Sequence, residues 1–452
     1  MKRLALVSLL MAVLLGGLGG AQEPLGPNVT IYSDLALVEE PRTLALSQGE
    51  HDYLLEDLPK GILPDSVLFR PLKDIEILEQ EFLPAQELTG WQLLQSAVGQ
   101  EIEITVARGL VPKTYRGTLL SVEDGIVLQE VTGRIQIIKD FSEVSLAHLS
   151  GYRKTPALRW RIQSNRSGEI PGNLSYLTEG LGWSAQYTGI LNEAETQMKL
   201  QSWVTVHNTS GRDYTNAKLT LIAGELRRVT PPRVPGSALP QAAPLAERSK
   251  ELEPQPVFEY HEYQFPYRTT LKDKQTLQLS FLKADAIAVS KHYVYEASVL
   301  PQVRVEIRFM NEKSQGLGIA LPAGVVRLYK ESAGALHLLG EDSLGHTPLG
   351  EKIALVPGMA FDLKAERVLK DRQVVGRDEL GRELYRDTYE ITLRNQKDSD
   401  VVIEVKERLQ GVWKIVSAEP SYEKLDASTV LFTVTVKAHD VAKILYTVEW
   451  KY

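Results

Sequence analysis

From Val29 onward, nearly every segment of this chain alternates polar and apolar side chains one for one. Successive side chains on a strand point to opposite faces, so a period of two buries one face and wets the other. Arg42-Thr43-Leu44-Ala45-Leu46, Leu158-Arg159-Trp160-Arg161-Ile162 and Val303-Arg304-Val305-Glu306-Ile307 all read this way. Turn formers separate such runs, among them Gln48-Gly49-Glu50, Pro59-Lys60-Gly61 and Leu63-Pro64-Asp65. Helix-like patterns are few: one near Trp91 and one over 245–252. The pattern predicts an all-β, multidomain chain of immunoglobulin-like β-sandwiches, with a small SH3/Sm-like barrel near the N-terminus.

The chain has 452 residues, enough for about three domains. The runs over 24–90 predict an N-terminal β-domain. Over 91–150 a short helix is followed by strands, one of them bent at Gly117, which is the plan of a small SH3/Sm-like barrel. Residues 155–300 resume long strands as a β-sandwich. That region is interrupted by a Pro-rich loop, 228–256, whose seven prolines cannot build a core. Residues 301–452 predict a C-terminal sandwich with two hairpins, one across Ser332-Ala333-Gly334 and a longer one across 376–381. A faint internal echo links Val206-His207-Asn208 to Leu393-Arg394-Asn395, each a strand that ends in Asn at a turn.

Residues 1–21 predict a signal peptide. Lys2 and Arg3 precede an apolar run over 4–18, and Gly19-Gly20-Ala21 places small residues where signal peptidase reads. The run is too short for a stable membrane anchor, and no later stretch is long enough to span a bilayer. The expected product is exported, cleaved near Ala21, and periplasmic, cell-envelope or extracellular. There are no cysteines, so disulfides, thiol nucleophiles and thiolate metal sites are closed off. The formal charge is −7, from 51 basic and 58 acidic residues. A mildly acidic, exported chain argues against nucleic-acid partners.

Gly182-Trp183-Ser184-Ala185-Gln186-Tyr187, the stretch from Val206 through Asp213-Tyr214, and Ala217 through Gly224-Glu225 carry a more specific pattern. Tyr389-Glu390-Ile391-Thr392-Leu393-Arg394-Asn395, Trp413-Lys414-Ile415 and Tyr422-Glu423-Lys424-Leu425-Asp426-Ala427 continue it. These stretches resemble a bacterial exported family of unknown function that includes the mucoidy-inhibitor-like proteins, and the likeness covers 155–452. Many relatives have a long coiled coil after the N-terminal domain, whereas this chain has the small barrel there. The resemblance implies export and a link to exopolysaccharide or a surface phenotype. It implies no catalytic mechanism.

The eight histidines show no metal-ligand spacing, and there is no nucleophile elbow or phosphate-cradling loop. Carboxylates are abundant enough to supply a glycosidase pair, but none stands out. Asp371, Asp378, Glu379 and Asp387 crowd the long hairpin, interleaved with Arg372, Arg377, Arg382 and Arg386, which reads as surface ion pairs. No cofactor or metal is expected. The best binding candidate is Tyr260-His261-Glu262-Tyr263-Gln264-Phe265-Pro266-Tyr267. In a regular strand His261, Tyr263, Phe265 and Tyr267 share one face, and aromatic faces stack on sugars or proteins. Ordinary sandwich core is the plainer use of the same face. The sequence thus predicts a non-enzymatic exported envelope protein, a binding or scaffolding module whose partner is envelope polysaccharide or another envelope protein. The alternatives are a two-carboxylate carbohydrate-active hydrolase and a self-assembling surface-layer or appendage component.

Overall fold

The computed structural model describes residues 26–70, 73–86, 89–107, 111–146, 152–224, 226, 260–299, 301–379 and 381–451, with the backbone of 255–257. The expected signal peptide, the helix-like run 245–252 and most of the Pro-rich loop lie outside the described residues. The rest is nearly all β, arranged as five sheets among the described residues. No helix among them is long and apolar enough to cross a membrane.

In strand Ala157–Ser164, alternation places Leu158, Trp160 and Ile162 on one buried face. This strand is the centre of a three-stranded sheet, between Gly49–Leu55 and Ile75–Leu83. A seven-stranded sheet shares its core. That sheet is ordered Gln255–Val257, Tyr260–Leu271, Tyr214–Ala223, Asn28–Ile31, Leu35–Leu46, Gly168–Glu179, Leu68–Arg70. Trp160 is fully buried between the two sheets and donates its indole N–H to Gln80 Oε1 at 2.7 Å, which satisfies the one polar atom it carries inward.

The sheets cross two of the expected domain boundaries. Residues 24–90 build no sheet of their own. Asn28–Ile31 pairs in parallel with Tyr214–Ala223, Val29 lying opposite Leu219, and Leu35–Leu46 pairs with Gly168–Glu179. Near residue 300 the exchange recurs: Gly324–Ser332 joins Leu181–Leu191 in parallel, while Ser290–Glu296 enters the C-terminal sheet. Alternation tells a strand which face to bury but not which distant strand will cover it.

Helix Gly90–Ser96 opens the expected barrel region, capped by Thr89 and Gln92 bonding each other's backbone N–H. Five antiparallel strands follow, ordered Glu143–Leu146, Glu101–Val106, Lys113–Ser121, Ile126–Gln129, Ile135–Ile138. The two outer strands do not pair, so the sheet is not a closed barrel. Its core is Leu94, Ile102, Ile104, Leu119, Ile126 and Leu128. Gly117 permits the bend: a Cβ there would lie 2.2 Å from the Gln129 carbonyl oxygen.

The C-terminal sheet has nine strands, ordered Val412–Glu419, Val441–Lys451, Glu383–Asn395, Lys352–Arg377, Gln302–Met310, Ser290–Glu296, Val401–Arg408, Thr429–Val436, Glu423–Lys424. Thr429–Val436 stands six places from Val441–Lys451, roughly 29 Å away were the sheet flat. Yet the rings of Phe432 and Tyr446, one from each strand, are 5.7 Å apart. The sheet therefore curls over and encloses its own core, a sandwich made from one continuous ladder.

The echo seen in sequence has a structural counterpart. Asn208 is buried and donates to the carbonyls of Arg212 and Leu271, while its Oδ1 accepts from the Ser210 N–H and hydroxyl. Asn395 is equally buried, donates to the carbonyls of Ser399, Val436 and Lys437, and accepts from the Lys397 N–H. Asn311, just past Gln302–Met310, does the same for Ile319 and Pro348. In each case one amide satisfies the backbone of a turn that closes a sandwich end.

Candidate functional site

The aromatic face expected on strand Tyr260–Leu271 is divided. Tyr263 and Phe265 are core residues, 4% and 6% exposed. The Tyr263 ring meets Phe281 and Trp183 edge-on, and its hydroxyl donates to the Ala320 carbonyl at 2.9 Å. Burial pushes that hydroxyl well above the usual tyrosine range. Tyr267 is half exposed and rests against the Phe265 ring, and His261 is half-buried. The pairing explains the split. Lys218 faces Arg268 and Thr220 faces Gln264, so the register shifts across 265–267. Pro266 has no N–H to give the ladder, and at this irregularity the alternation breaks. The four residues therefore do not make one open platform.

A cleft of about 910 Å³ lies elsewhere, a concavity at one end of the curled nine-stranded sheet. One wall is the ladder of Lys352–Arg377, Glu383–Asn395 and Val441–Lys451, which presents Arg367, Arg372, Tyr385, Tyr389 and Trp450. The other is formed by Tyr295, Ser298, Val299 and Pro301, together with Arg408 to Gln410. The volume lies within the range of ligand clefts, about 300–1,000 Å³.

Cross-strand register builds the first wall. Tyr385 lies opposite Trp450, and their rings stack at 5.0 Å with 22° between planes. Tyr389 lies opposite Tyr446, stacked at 5.3 Å. Between these stacks sits Asp387, fully buried. It receives both Arg372 Nε and Nη2 at 2.8 Å, the Trp450 indole N–H at 2.8 Å and the Tyr389 hydroxyl at 3.1 Å. Burial alone would raise its pKa, but the bonds from Arg372, Trp450 and Tyr389 outweigh it and hold the carboxyl below the usual aspartate range. The Arg372 guanidinium stays half exposed, 5.6 Å from the centres of both the Tyr385 and Trp450 rings.

A second unit repeats the plan one step deeper. Arg367 lies over the Tyr389 ring at 3.7 Å, pairs with Glu407 at 2.6 Å and donates to the Tyr446 hydroxyl. Glu407 is fully buried, and the Ser298 hydroxyl also donates to it. In both units the acid is hidden behind the guanidinium, so each pair is neutral overall while its N–H donors face the cleft. Glu366, the acidic residue in the lining, lies 3.4 Å from Arg394.

Arg367 and Arg372 are five residues apart, and on a regular strand they would face opposite ways. Leu369 pairs with Tyr389 and Asp371 with Thr388, so Lys370 is an extra residue. This bulge turns Arg372 back to the face of Arg367. Alternation alone therefore could not join them. One signal was present: Tyr385, Asp387, Tyr389, Ile391 and Leu393 share a strand face, and a carboxylate in an apolar row needs a cation. Asp387 was expected in a surface ion pair. The pair is there, but the carboxylate is buried. Asp378, also largely buried, pairs with Arg382 and Lys451, while the exposed Asp371 accepts from Gln373 and makes no ion pair among the described residues. Among the described residues no group of three His, Asp or Glu side chains could hold a metal ion.

Residues 173–452 match a family model described as a domain of unknown function (DUF4139). All residues lining the cleft fall in that range. No curated protein matches the chain.

Proposed function

We propose, from the premise that this chain belongs to the DUF4139 family of unknown function, that it is an exported envelope protein that binds a saccharide in the C-terminal cleft and holds it without cleaving it. One observation carries the reading. The cleft offers stacked aromatic rings and fixed guanidinium donors, the usual means of gripping a sugar ring, while its carboxylates are engaged by arginines. A glycosidase needs one carboxylic acid held protonated near neutral pH beside a second carboxylate. Asp387 is pushed the other way, and Glu407 is locked behind Arg367. The signal-like segment 1–21 and the likeness to mucoidy-inhibitor-like proteins support export and a role at the surface.

The test is retention of the chain from Gln22 on isolated envelope polysaccharide and peptidoglycan, with reducing ends measured on the same samples. Retention without new reducing ends, weakened by Tyr385→Ala, is expected. New reducing ends would replace this reading with the hydrolase. One observation favours self-assembly as a second reading. Ala335–Leu344 is an edge strand, with Leu336 and Leu338 more than half exposed. A sedimentation coefficient that rises with protein concentration and falls back in Leu338→Lys would support it.

A further inference from the structure

We infer that the ligand of the cleft is an acidic saccharide, with a sugar ring against the Tyr385–Trp450 stack and a carboxylate on the free edges of Arg372 and Arg367. This rests on the binding-module reading and adds the ligand's chemistry to it. The argument is one of unused donors. A guanidinium carries five N–H donors and no acceptor. Arg372 gives two nitrogens to Asp387, leaving Nη1 on a side chain 48% exposed. Arg367 gives Nη2 to Glu407 and Tyr446 and its Nε is buried, which leaves Nη1 on a side chain 23% exposed. Both side chains are fixed from behind by fully buried acids, so the remaining donors are already oriented and lose little freedom when a ligand arrives. The end left on Arg372, Nη1 with the second N–H of Nη2, is a fixed pair of donors that matches a carboxylate better than a hydroxyl.

The rest of the lining points the same way. The Arg372 edge and the Tyr385–Trp450 rings lie side by side, so one ring bearing one carboxylate meets both. The buried acids neutralise Arg367 and Arg372, so recognition of a carboxylate here rests on oriented N–H donors and not on a net positive charge. A peptide of Asp and Glu alone offers the carboxylate but has no ring to lay a C–H face on the stack.

The experiment is calorimetric titration of the chain from Gln22 with a galacturonic acid trimer, its methyl ester and a glutamate peptide of equal charge. The acid trimer should bind and the ester should bind about tenfold more weakly or not at all. Tyr385→Ala, which leaves the Arg372–Asp387 pair intact, should weaken the trimer about tenfold. Arg372→Lys keeps the charge but loses the fork, and should bring the acid trimer down towards its ester. Circular dichroism of each variant confirms the fold. Equal binding of acid and ester would overturn the acidic ligand while leaving a saccharide-binding module. Equal binding of the glutamate peptide, unaffected by Tyr385→Ala, would replace the saccharide with an acidic peptide. No binding of the trimer would overturn the inference, and the retention assay would then judge the binding-module reading on its own.

Discussion

Replacing Asp387 with alanine takes the post out of the cleft wall. Three partners lose their acceptor at once: the Arg372 fork, the Trp450 indole N–H and the Tyr389 hydroxyl. Arg372 is half exposed, so water takes over its share and its part of the loss is about 0–1 kcal/mol. The indole and the phenol are half-buried, and each loses a hydrogen bond to a charged group, about 1–2 kcal/mol apiece. The sum is about 2–5 kcal/mol, or a thirty- to several-thousand-fold fall in the folded-to-unfolded ratio. Amide exchange in Glu383–Asn395 and Val441–Lys451 reads this locally, where whole-chain melting would average over other sheets. The pH dependence has a definite sign. The Asp387 carboxyl titrates lower folded than unfolded. Its stabilisation is complete above the unfolded value of about 3.9 and is lost as pH falls through the depressed folded value. The wild type should lose protection in those strands over that window, and Asp387→Ala should lose less. A change below about fivefold at neutral pH would refute the view that Asp387 organises the wall.

Other consequences follow from the same geometry. Asn395→Ala leaves three turn carbonyls without a donor and should cost about 2–4 kcal/mol in urea unfolding, while Asn395→Asp should recover little, because a carboxylate cannot donate. Tyr263→Ala should destabilise by about 3–5 kcal/mol and Tyr267→Ala by about 1 kcal/mol or less, since only the first ring is core. Equal effects in thermal melts would mean the strand's faces are assigned wrongly. Glu404 accepts from Arg308 at 2.9 and 2.7 Å and lies 2.7 Å from His292 Nδ1. Burial raises its pKa, but those partners pull it below the usual glutamate value, so Glu404→Gln should flatten the acid limb of stability below about pH 4.3 and lower stability above it. Gly117→Ala should destabilise the small sheet, seen as faster exchange in Lys113–Ser121 and Ile126–Gln129, because its Cβ meets the Gln129 carbonyl.

Much of this architecture is legible residue by residue. Alternation in 158–162 marks the inner face that Trp160 occupies. The two-residue turn at Ala333-Gly334 joins strands in the expected hairpin, both residues taking positive φ. The paired Asn endings foretell the buried plugs at 208 and 395. What escaped reading is non-local or breaks the period. Nothing near Val29 says that Leu219 will lie beside it, and nothing in nine separate strands says that their sheet will curl until Phe432 reaches Tyr446. Two departures from alternation share a cause. The irregularity at Pro266 divides a face that alternation would keep whole, and the extra residue Lys370 unites two arginines that alternation would part. Both lie at β-ladder irregularities, where counting by twos fails.

The measurement that tests the account most directly is hydrogen exchange across the chain from Gln22, with and without saturating envelope polysaccharide. The account predicts new protection in 295–299, 385–389, 408–410 and 448–450, segments that line the cleft. It predicts no change at the exposed end of Tyr260–Leu271, around Tyr267. Protection at Tyr267 with none in the cleft would contradict it and restore the aromatic strand as the binding face.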